Sequence, residues 1–449
     1  MAALTPLAQA SAGGTLYVNG NTGTDTGTCR LQADPCQTIS YALSKSAVDA
    51  ISTIKVAAGF YPEALAITHR VTIVGAGDTT SGTVIDPPTL ISDTDGSGTP
   101  QDAIIDVSGT TGVTLRSLAV GGDNSQGTFS GCGDDFVGVY YHNASGTMNK
   151  VLVKDIELPS GLFGCQSGQG VYVESDSGTS TVHMSLLKVN NYQKNGVKCG
   201  GAGTTCTLGS SAITGIGRNP TIAPNGFEGF DAASVTLNGD TIKSNSYTGG
   251  GFFNEAAGVL IYDVGTAAVT DNTVGANDVN IYLGDDGSGP APQSWTVTGN
   301  TVNNAADNVP GGYPGFGWGI QLDSTSNPVL IQGNTVTHSA ADGIALTAAN
   351  NATVSGNTIS ASGADGIYIG GPGDATSGTQ SAGDLIQNNI SHNNHGDGIN
   401  ADTDAASDTF TGNGANFNTA YDIQDAGTGN TWTTNTCKPA HDSSPSGLC

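Results

Sequence analysis

Four side chains that can support chemistry on a sugar chain recur at matching positions in successive segments of this sequence. Tyr140, Tyr172, Lys198 and Glu228 each follow a glycine and an apolar residue. In a β-strand the apolar residue would point inward and the next residue outward. On neighbouring strands the four would form a line of about 15 Å, the length of a few sugar rings. The aromatic rings would hold the sugars, and the charged groups would supply an acid, a base or a nucleophile.

More polar side chains belong to the same region. His142 and Glu174 come two residues after the tyrosines, so alternation along a strand also places them outward. Seven of the 13 basic residues fall between Lys150 and Lys243, which gives this region most of the positive charge available to a substrate. We predict a substrate-binding set of Tyr140, His142, Tyr172, Lys194 and Arg218.

Hydrolysis of a glycosidic bond would need two carboxyl groups, one to donate a proton and one to act as base or nucleophile. Glu228 would be the acid or base. Asp231, just past the same strand, or Glu174 would be the second carboxylate.

Cleavage by β-elimination would instead need a base and positive charge opposite a uronate carboxylate. Lys198 would be the base. Asp134 and Asp135, in the loop before Tyr140, would hold Ca²⁺ against the uronate. The sequence does not choose between the two reactions. A simpler interpretation, in which Lys198 and Glu228 form an ordinary cross-strand ion pair, also stays open.

Two other polar groups are better explained as turns. Asp342, Asp365 and Asp397 each precede a glycine at the start of a strand. If stacked about 5 Å apart they would share a proton or a cation, yet Asp-Gly is also ordinary turn chemistry and explains all three copies. His392 and His395 resemble a metal site in composition only, because they lie in a turn.

These residues are carried by a short sequence repeat. Asp-Gly-Ile at 342–344 returns at 365–367, and Gly-Asn-Thr-Val at 333–336 returns as Gly-Asn-Thr-Ile at 356–359, both after 23 residues. This period, with alternating apolar residues, predicts a solenoid of parallel strands in which one repeat forms one coil. The recurring Asn is expected to form a ladder in the turns. Residues 38–51 have helical spacing and predict a helix that covers the first coil.

The arrangement resembles the right-handed parallel β-helix, pectate-lyase-like superfamily with its PbH1 repeats. The resemblance rests on the Gly-Asn-Thr marks, the Asp-Gly-Ile strands and the entry from Leu16 to Ile39, and it covers nearly all of residues 14–430. It implies an all-β, right-handed parallel β-helix (solenoid) with an N-terminal capping helix. Members include polysaccharide lyases, glycoside hydrolases, epimerases, phage tailspikes and surface proteins. The polygalacturonase NTD, DD, GHG and RIK set as a whole and the alginate epimerase DPHE motif are missing, so no catalytic residues carry over.

Composition and charge limit the partners. The 449 residues include 67 glycines and only 12% charged residues, which is typical of a turn-rich β architecture and excludes a helical bundle. The formal net charge of −26 argues against nucleic acid and anionic membranes, and it permits Ca²⁺, the one cofactor we consider. We expect a polysaccharide partner. Monomer and trimer both stay open.

Eight cysteines predict disulfides formed in an oxidising compartment. The pairs suggested by proximity are Cys29–Cys36, Cys132–Cys165, Cys199–Cys206 and Cys437–Cys449. Residues 1–12 resemble the end of a signal peptide, and no segment is long and apolar enough to span a membrane. We predict a secreted, extracellular protein. Its parts are a signal-peptide remnant at 1–12, a cap with the first coils at 13–75, coils with loop insertions at 76–430 and a disulfide-closed tail at 431–449.

The sequence therefore predicts a carbohydrate-active protein that cleaves an extracellular polysaccharide, as a glycoside hydrolase or a polysaccharide lyase. The groove would cross the coils of residues 130–265. The alternative is a non-catalytic glycan-binding or structural surface β-helix. Converging carboxylates in a concave groove would favour cleavage, and a flat face would favour binding or structure.

Overall fold

The computed structural model describes residues 14–49, 52–249, 256–287, 289–290, 294–305, 317–325, 328–371, 380–438 and 442–449. This part of the chain forms a parallel β-helix. Each complete coil contributes one strand to each of three parallel sheets, and strands of successive coils pair in register. The predicted all-β solenoid is confirmed.

The sheet that carries the predicted column is called the groove sheet. Its strands are Leu65–Ile67, Ile91–Thr94, Pro100–Ser108, Asp135–His142, Gln169–Glu174, Asn195–Gly200, Asn225–Phe230, Ala257–Tyr262, Val279–Gly284, Ile320–Asp323, Ile344–Thr347, Ile367–Gly370, Ile399–Ala401, Ile423–Asp425 and Ser443–Ser444. All its pairings are parallel except the one between Ile91–Thr94 and Pro100–Ser108.

The other two sheets are joined, because the long strands Thr111–Gly121 and Ser145–Ile156 run from one into the other. The second sheet consists otherwise of Thr15–Val18, Thr53–Val56, Thr72–Val74, Ser180–Ser185, Thr204–Gly209, Ser234–Asn238, Thr266–Thr270, Ser294–Thr298, Val329–Gln332, Thr353–Ser355, Leu385–Gln387, Thr409–Thr411 and Thr431–Thr433. The third consists of Gly59–Tyr61, Thr83–Ile85, Lys188–Tyr192, Ala212–Asn219, Thr241–Tyr247, Thr273–Gly275, Thr301–Asn303, Thr335–Thr337, Thr358–Ser360, Ile390–His392, Gly414–Asn416 and Thr436–Cys437. Ser381–Ala382 and Ala405–Ala406 form a separate pair.

The core is a stack of inward-pointing apolar residues, one layer per coil. In the groove sheet Val139 pairs with Val171, Val171 with Val197, and Val197 with Phe227. All four are fully buried. This alternation is what turns the residues between them outward.

The predicted helix is present at Ile39–Asp49, and residues 50–51 lie outside the described part. Thr38 begins it as the N-cap, because its hydroxyl oxygen accepts the backbone N–H of Tyr41 at 3.1 Å. The Glu63 carboxylate accepts the N–H of Ile39 at 2.7 Å, which places negative charge at the helix N-terminus. Short 3₁₀ turns occur at Gln126–Thr128 and Ser160–Leu162.

The predicted Asn ladder is present in the turns between the second and third sheets. The side-chain oxygen of each ladder Asn accepts the backbone N–H of the equivalent ladder residue in the coil before it. Where that equivalent residue is also Asn, the oxygen accepts its side-chain amide as well. These distances are 2.8–3.1 Å. The ladder residues are Asn272, Asn300, Asn334, Asn357, Asn389, Asn413 and Asn435. The amide also donates to a backbone carbonyl, so these buried polar groups are satisfied.

Replacing Asn357 by Ala is expected to lower the free energy of unfolding by about 3 kcal/mol, because it removes the acceptor of two buried donors of Asn334. Urea denaturation would measure the loss. Asn238→Ala, at an exposed position, is the control and should change stability little. Equal losses in the two variants would contradict a stabilising ladder.

The four predicted disulfides are formed: Cys29–Cys36, Cys132–Cys165, Cys199–Cys206 and Cys437–Cys449. Coil strands continue beyond residue 430, the predicted boundary of the tail, to Thr436–Cys437 and Ser443–Ser444, and the disulfide Cys437–Cys449 lies in this same part. Among the described residues we find no helix with the length and hydrophobicity needed to cross a membrane.

Candidate functional site

The predicted column lies in line on the outer face of the groove sheet. Tyr140 pairs with Tyr172, Tyr172 with Lys198, and Lys198 with Glu228. Asp106 occupies the same position on the strand before Tyr140. The register agrees with the orientation that strand alternation predicts.

The early part of this column is covered, whereas the sequence predicts that it faces solvent. Tyr140 is 0% exposed and Tyr172 is 4% exposed, and they form a small apolar cluster outside the main core. The cover is the hairpin of residues 91–103, in which Ile91–Thr94 runs antiparallel to the start of the next strand. We call it the cover hairpin. It belongs to an insertion without a counterpart in the repeat, so the repeat alone did not reveal it.

His142 joins the cover hairpin to the coil. Its Nδ1 lies 2.7 Å from the Asp93 carboxylate and its Nε2 lies 3.1 Å from that of Asp176. A neutral imidazole can donate from only one nitrogen, so the two contacts favour the protonated ring. Burial lowers the pKa of His142, but the two carboxylates outweigh that effect and raise the pKa above its usual value.

Glu174 is held on the same face. The Tyr140 hydroxyl donates to its Oε2 at 2.5 Å, and the backbone N–H of Gly96 in the cover hairpin donates to its Oε1 at 3.4 Å. A Cβ at residue 96 would lie 2.6 Å from the Cβ of Asp176, so this approach requires glycine. Glu174 is 8% exposed and is therefore engaged within the protein.

Asp106 is a buried carboxyl beneath the same hairpin. It is 5% exposed, and its Oδ1 has no hydrogen-bond partner among the residues that the structure describes. Burial raises the pKa of Asp106 to about 7, and the charge of Asp93 adds to the effect.

A cleft of about 350 Å³ lies farther along the groove sheet. Residues that line it include Lys194, Asn225, Glu228, Phe230, Tyr247 and Tyr262. Its lining runs along the groove-sheet strand Asn225–Phe230, from Asn225 at the start to Phe230 at the end, and includes Tyr247 at the end of a third-sheet strand.

The lining of the cleft includes both aromatic and charged side chains. The rings of Phe230 and Tyr262 are parallel within 6°, with centroids 6.0 Å apart, and Phe230 is 41% exposed. The Asn225 amide donates to the Glu228 Oε2 at 2.9 Å. The Lys194 Nζ donates to the carbonyl of Ala223 at 2.8 Å. Burial lowers the pKa of Lys194.

Lys198 lies between the covered face and the cleft. Its Nζ is 4.6 Å from the ring centroid of Tyr172, a cation–π contact. Burial raises the pKa of Asp135 although the charge of Lys198 lowers it, so these two groups are within electrostatic reach.

The predicted site residues thus fall into four groups. The cleft brings together Glu228 and Lys194. The cover hairpin lies over Tyr140, His142, Tyr172 and Glu174. Lys198 lies at the junction, and the remaining predicted residues are elsewhere.

Asp231 follows Phe230 in a left-handed turn, with φ 53°, and is not part of the cleft lining. Burial raises the pKa of Asp231, and the charge of Asp286 adds to this. Arg218 is exposed on a strand of the third sheet. Asp231 was predicted from its position just past the Glu228 strand and Arg218 from its place among the basic residues of the middle region, and neither criterion fixes the direction of a side chain.

Asp134 is exposed, and the Asp135 carboxylate accepts the side-chain amide of Gln101 at 3.4 Å. In the described residues, neither belongs to a group of three acidic, His or Cys side chains that could share one metal ion. Their predicted role in binding Ca²⁺ stays a prediction.

None of the three aromatic residues that line the cleft, Phe230, Tyr247 and Tyr262, was among the predicted site residues. Phe230 and Tyr262 come two residues after Glu228 and Leu260, so strand alternation marks them as outward-facing. That signal was available. Asp93 and Asp176 carried no comparable signal, because Asp93 lies in the cover hairpin and Asp176 in the bend after Glu174, both outside the repeated strand positions.

The stacked aspartates of the late coils behave as turn residues. Oδ1 of Asp342 accepts the N–H of Asp365 at 2.8 Å, and Oδ1 of Asp365 accepts the N–H of Asp397 at 2.6 Å. His395 is exposed, and His392 contacts its neighbour Asn393 at 2.8 Å. Both geometries fit the turn interpretation.

Known proteins share this architecture. A family model described as a right handed beta helix region matches residues 291–439. A mutant of the periplasmic alginate epimerase AlgG is similar with a TM-score of 0.53 and 11% identity, over 80% of this chain and 77% of that chain. The catalytic unit of the thermostable GH87 alpha-1,3-glucanase from Streptomyces thermodiastaticus is similar with a TM-score of 0.53 and 15% identity, over 88% of this chain and 65% of that one. No curated protein sequence matches.

At these identities the similarity shows the fold and leaves the reaction open. The family match, the parallel coils and the structural similarities agree with one another. Residues 291–439 match the right handed beta helix family, and the described chain as a whole has the right-handed parallel β-helix fold.

Proposed function

We propose that the protein binds an extracellular polysaccharide in the cleft and cleaves it there. The observation that carries this proposal is the parallel ring pair of Phe230 and Tyr262 beside the carboxylate of Glu228 and the ammonium of Lys194. Aromatic walls with a few placed polar groups are typical of small-molecule sites, and flat rings suit the apolar face of a sugar.

Two further findings support the proposal. The similar structures are named as an alginate epimerase and an alpha-1,3-glucanase, both proteins that act on polysaccharides. Four disulfides are typical of proteins from oxidising compartments, which agrees with secretion.

Both reactions have candidates in this region. In hydrolysis Glu228 is the acid or base, and a second carboxylate is needed. Glu228 is the one carboxylate among the described residues that line the cleft. In β-elimination Lys198 removes the proton on C5 of a uronate, the C4–O bond breaks, a C4–C5 double bond forms and the leaving oxygen takes up a proton.

A substrate screen tests the proposal. Plant, algal and bacterial polysaccharides are incubated with the complete protein, with and without Ca²⁺. New reducing ends with ultraviolet absorbance of an unsaturated uronate identify a lyase, and reducing ends without it identify a hydrolase. Retention of a glycan without cleavage supports the non-catalytic alternative, and no effect on any glycan contradicts the proposal.

Replacing Glu228 by Gln is expected to lower kcat/KM on the identified substrate by roughly 10²–10⁴-fold, the usual contribution of a positioned acid or base. The amide keeps the shape of the side chain, so the fold should persist. Asp404→Asn, at an exposed position in a late coil, is the control and should leave the rate unchanged. Unchanged activity of Glu228→Gln would remove Glu228 from the chemistry.

A further inference from the structure

We infer that the cleft selects an anionic sugar, a uronate or a sulfated sugar, and that Lys194 binds its anionic group. This inference rests on the proposed function and names the substrate class of the same cleft.

Lys194 has an ammonium group whose charge is incompletely compensated. Its Nζ donates to the carbonyl of Ala223 at 2.8 Å. Of the ion pairs found in the described residues, none involves Lys194. Burial lowers the pKa of Lys194, as expected when an ammonium group loses water without gaining a paired carboxylate. An anionic ligand would supply the missing partner.

A second ammonium group acts on the cleft. Glu228 raises the pKa of Lys194 and Lys198 lowers it, so both charges are within electrostatic reach of Lys194. The Asn225 amide already holds the Glu228 carboxylate at 2.9 Å, and Asp135 acts on Lys198 from outside the cleft lining. These two ammonium groups occur in a chain whose formal net charge is −26.

The aromatic wall points to a sugar rather than a small free anion. Phe230 and Tyr262 offer two parallel rings in the same cleft, and a phosphate or sulfate ion would leave them unused. A neutral sugar would use the rings but would displace water from Lys194 without replacing its charge interaction, which costs binding free energy. A sugar ring that carries a carboxylate or a sulfate would contact the aromatic rings and also pair with the ammonium group of Lys194.

The test measures binding of the complete protein by calorimetry to four ligands. Polygalacturonate and its methyl-esterified form share one backbone and differ in charge, and a sulfated galactan and the unsulfated galactan form the second pair. The two pairs distinguish carboxylate from sulfate recognition. At least one acidic ligand should bind about ten-fold or more tightly than its neutral counterpart, and added salt should weaken only the acidic one.

Variants assign the preference to Lys194. Lys194→Gln should remove at least about ten-fold of the affinity for the acidic ligand and leave neutral binding unchanged, whereas Lys194→Arg should keep the preference. Lys243→Gln removes an exposed positive charge from the third sheet and controls for net charge. Phe230→Ala should weaken acidic and neutral ligands alike.

Equal binding of acidic and neutral ligands, or acidic binding that Lys194→Gln leaves intact, would overturn the inference. If Phe230→Ala still weakened all glycans, the proposed function would survive that result. Failure of every ligand to bind would overturn the inference, whereas the proposed function would be decided by the wider substrate screen. If Lys194→Gln did not fold, the salt series on the unmodified protein would decide, because an equal salt response of both ligands contradicts anion selection.

Discussion

At pH 8, replacing Asp384 by Asn is expected to stabilise the folded protein by on the order of 3 kcal/mol. Asp384 is 1% exposed, and its Oδ1 accepts the N–H of Ala352 at 2.7 Å. Its Oδ2 has no hydrogen-bond partner among the described residues. Burial raises the pKa of Asp384 to about 8. Ionising this carboxyl inside the folded protein is therefore costly.

The sign of the pH effect follows from this shift. The folded state holds the proton more tightly than the unfolded state, whose Asp pKa is 3.8. The contribution to stability is complete below that value and is lost as the pH rises through about 8. Asn does not ionise, and its amide can donate as Asn334 does to Asn357 in the neighbouring ladder at 2.9 Å.

Urea denaturation at pH 5 and pH 8 would measure both effects. Asp384→Asn should be more stable than the unmodified protein at pH 8, and its loss of stability between the two pH values should be smaller. Asp271→Asn, at an exposed turn position, is the matched control and should change neither. A variant that is less stable at pH 8 would show that the carboxylate itself is favourable there.

The pKa values of other buried carboxyl groups are raised as well. Burial raises the pKa to about 7 for Asp106, Asp240 and Asp342, and to about 6 for Asp397 and Asp408. Each contribution is lost as the pH rises from near 4 through these values. The protein as a whole should be most stable in mild acid.

Deprotonation of His142 is expected to loosen the cover hairpin. Its folded pKa is raised above 6.5, so this contribution is complete below pH 6.5 and is lost as the pH rises through the folded pKa. The neutral ring has one N–H, which can donate to only one of Asp93 and Asp176. Its unprotonated nitrogen then faces the oxygen of the other carboxylate, and that contact is repulsive. Loss of one charged hydrogen bond costs about 1.5–3 kcal/mol, so opening should rise roughly ten- to hundred-fold.

Hydrogen exchange of residues 91–100, followed by mass spectrometry, would measure this opening. After correction for the intrinsic pH dependence of exchange, protection should fall as His142 deprotonates. His142→Gln should be loose at every pH, and His183→Gln, on an exposed part of the second sheet, is the control. A hairpin equally protected in His142→Gln would show that the apolar contacts with Tyr140 and Tyr172 hold it alone.

The sequence alone determined the coil and the column. The 23-residue period and the alternation around Val139 and Val171 fix which residues point inward, because one face of each strand must be buried. Once the inward residues stack, Tyr140, Tyr172 and Lys198 must align on the outside. The Asn ladder follows from the same repeat, because each turn places the same amide above its neighbour.

Only the tertiary structure decided which part of that column is accessible. Asp93 contacts His142, which is 49 residues away in the chain, and Gly96 donates a hydrogen bond to Glu174, which is 78 residues away. Both Asp93 and Gly96 belong to an insertion that is not part of the sequence repeat. The cleft likewise combines Lys194, at a strand entry, with Phe230, at a strand end. The sequence repeat predicts whether a side chain points inward or outward in its own strand. Whether that side chain is buried by another segment, and which residues of other strands lie beside it, depends on packing between segments far apart in the chain.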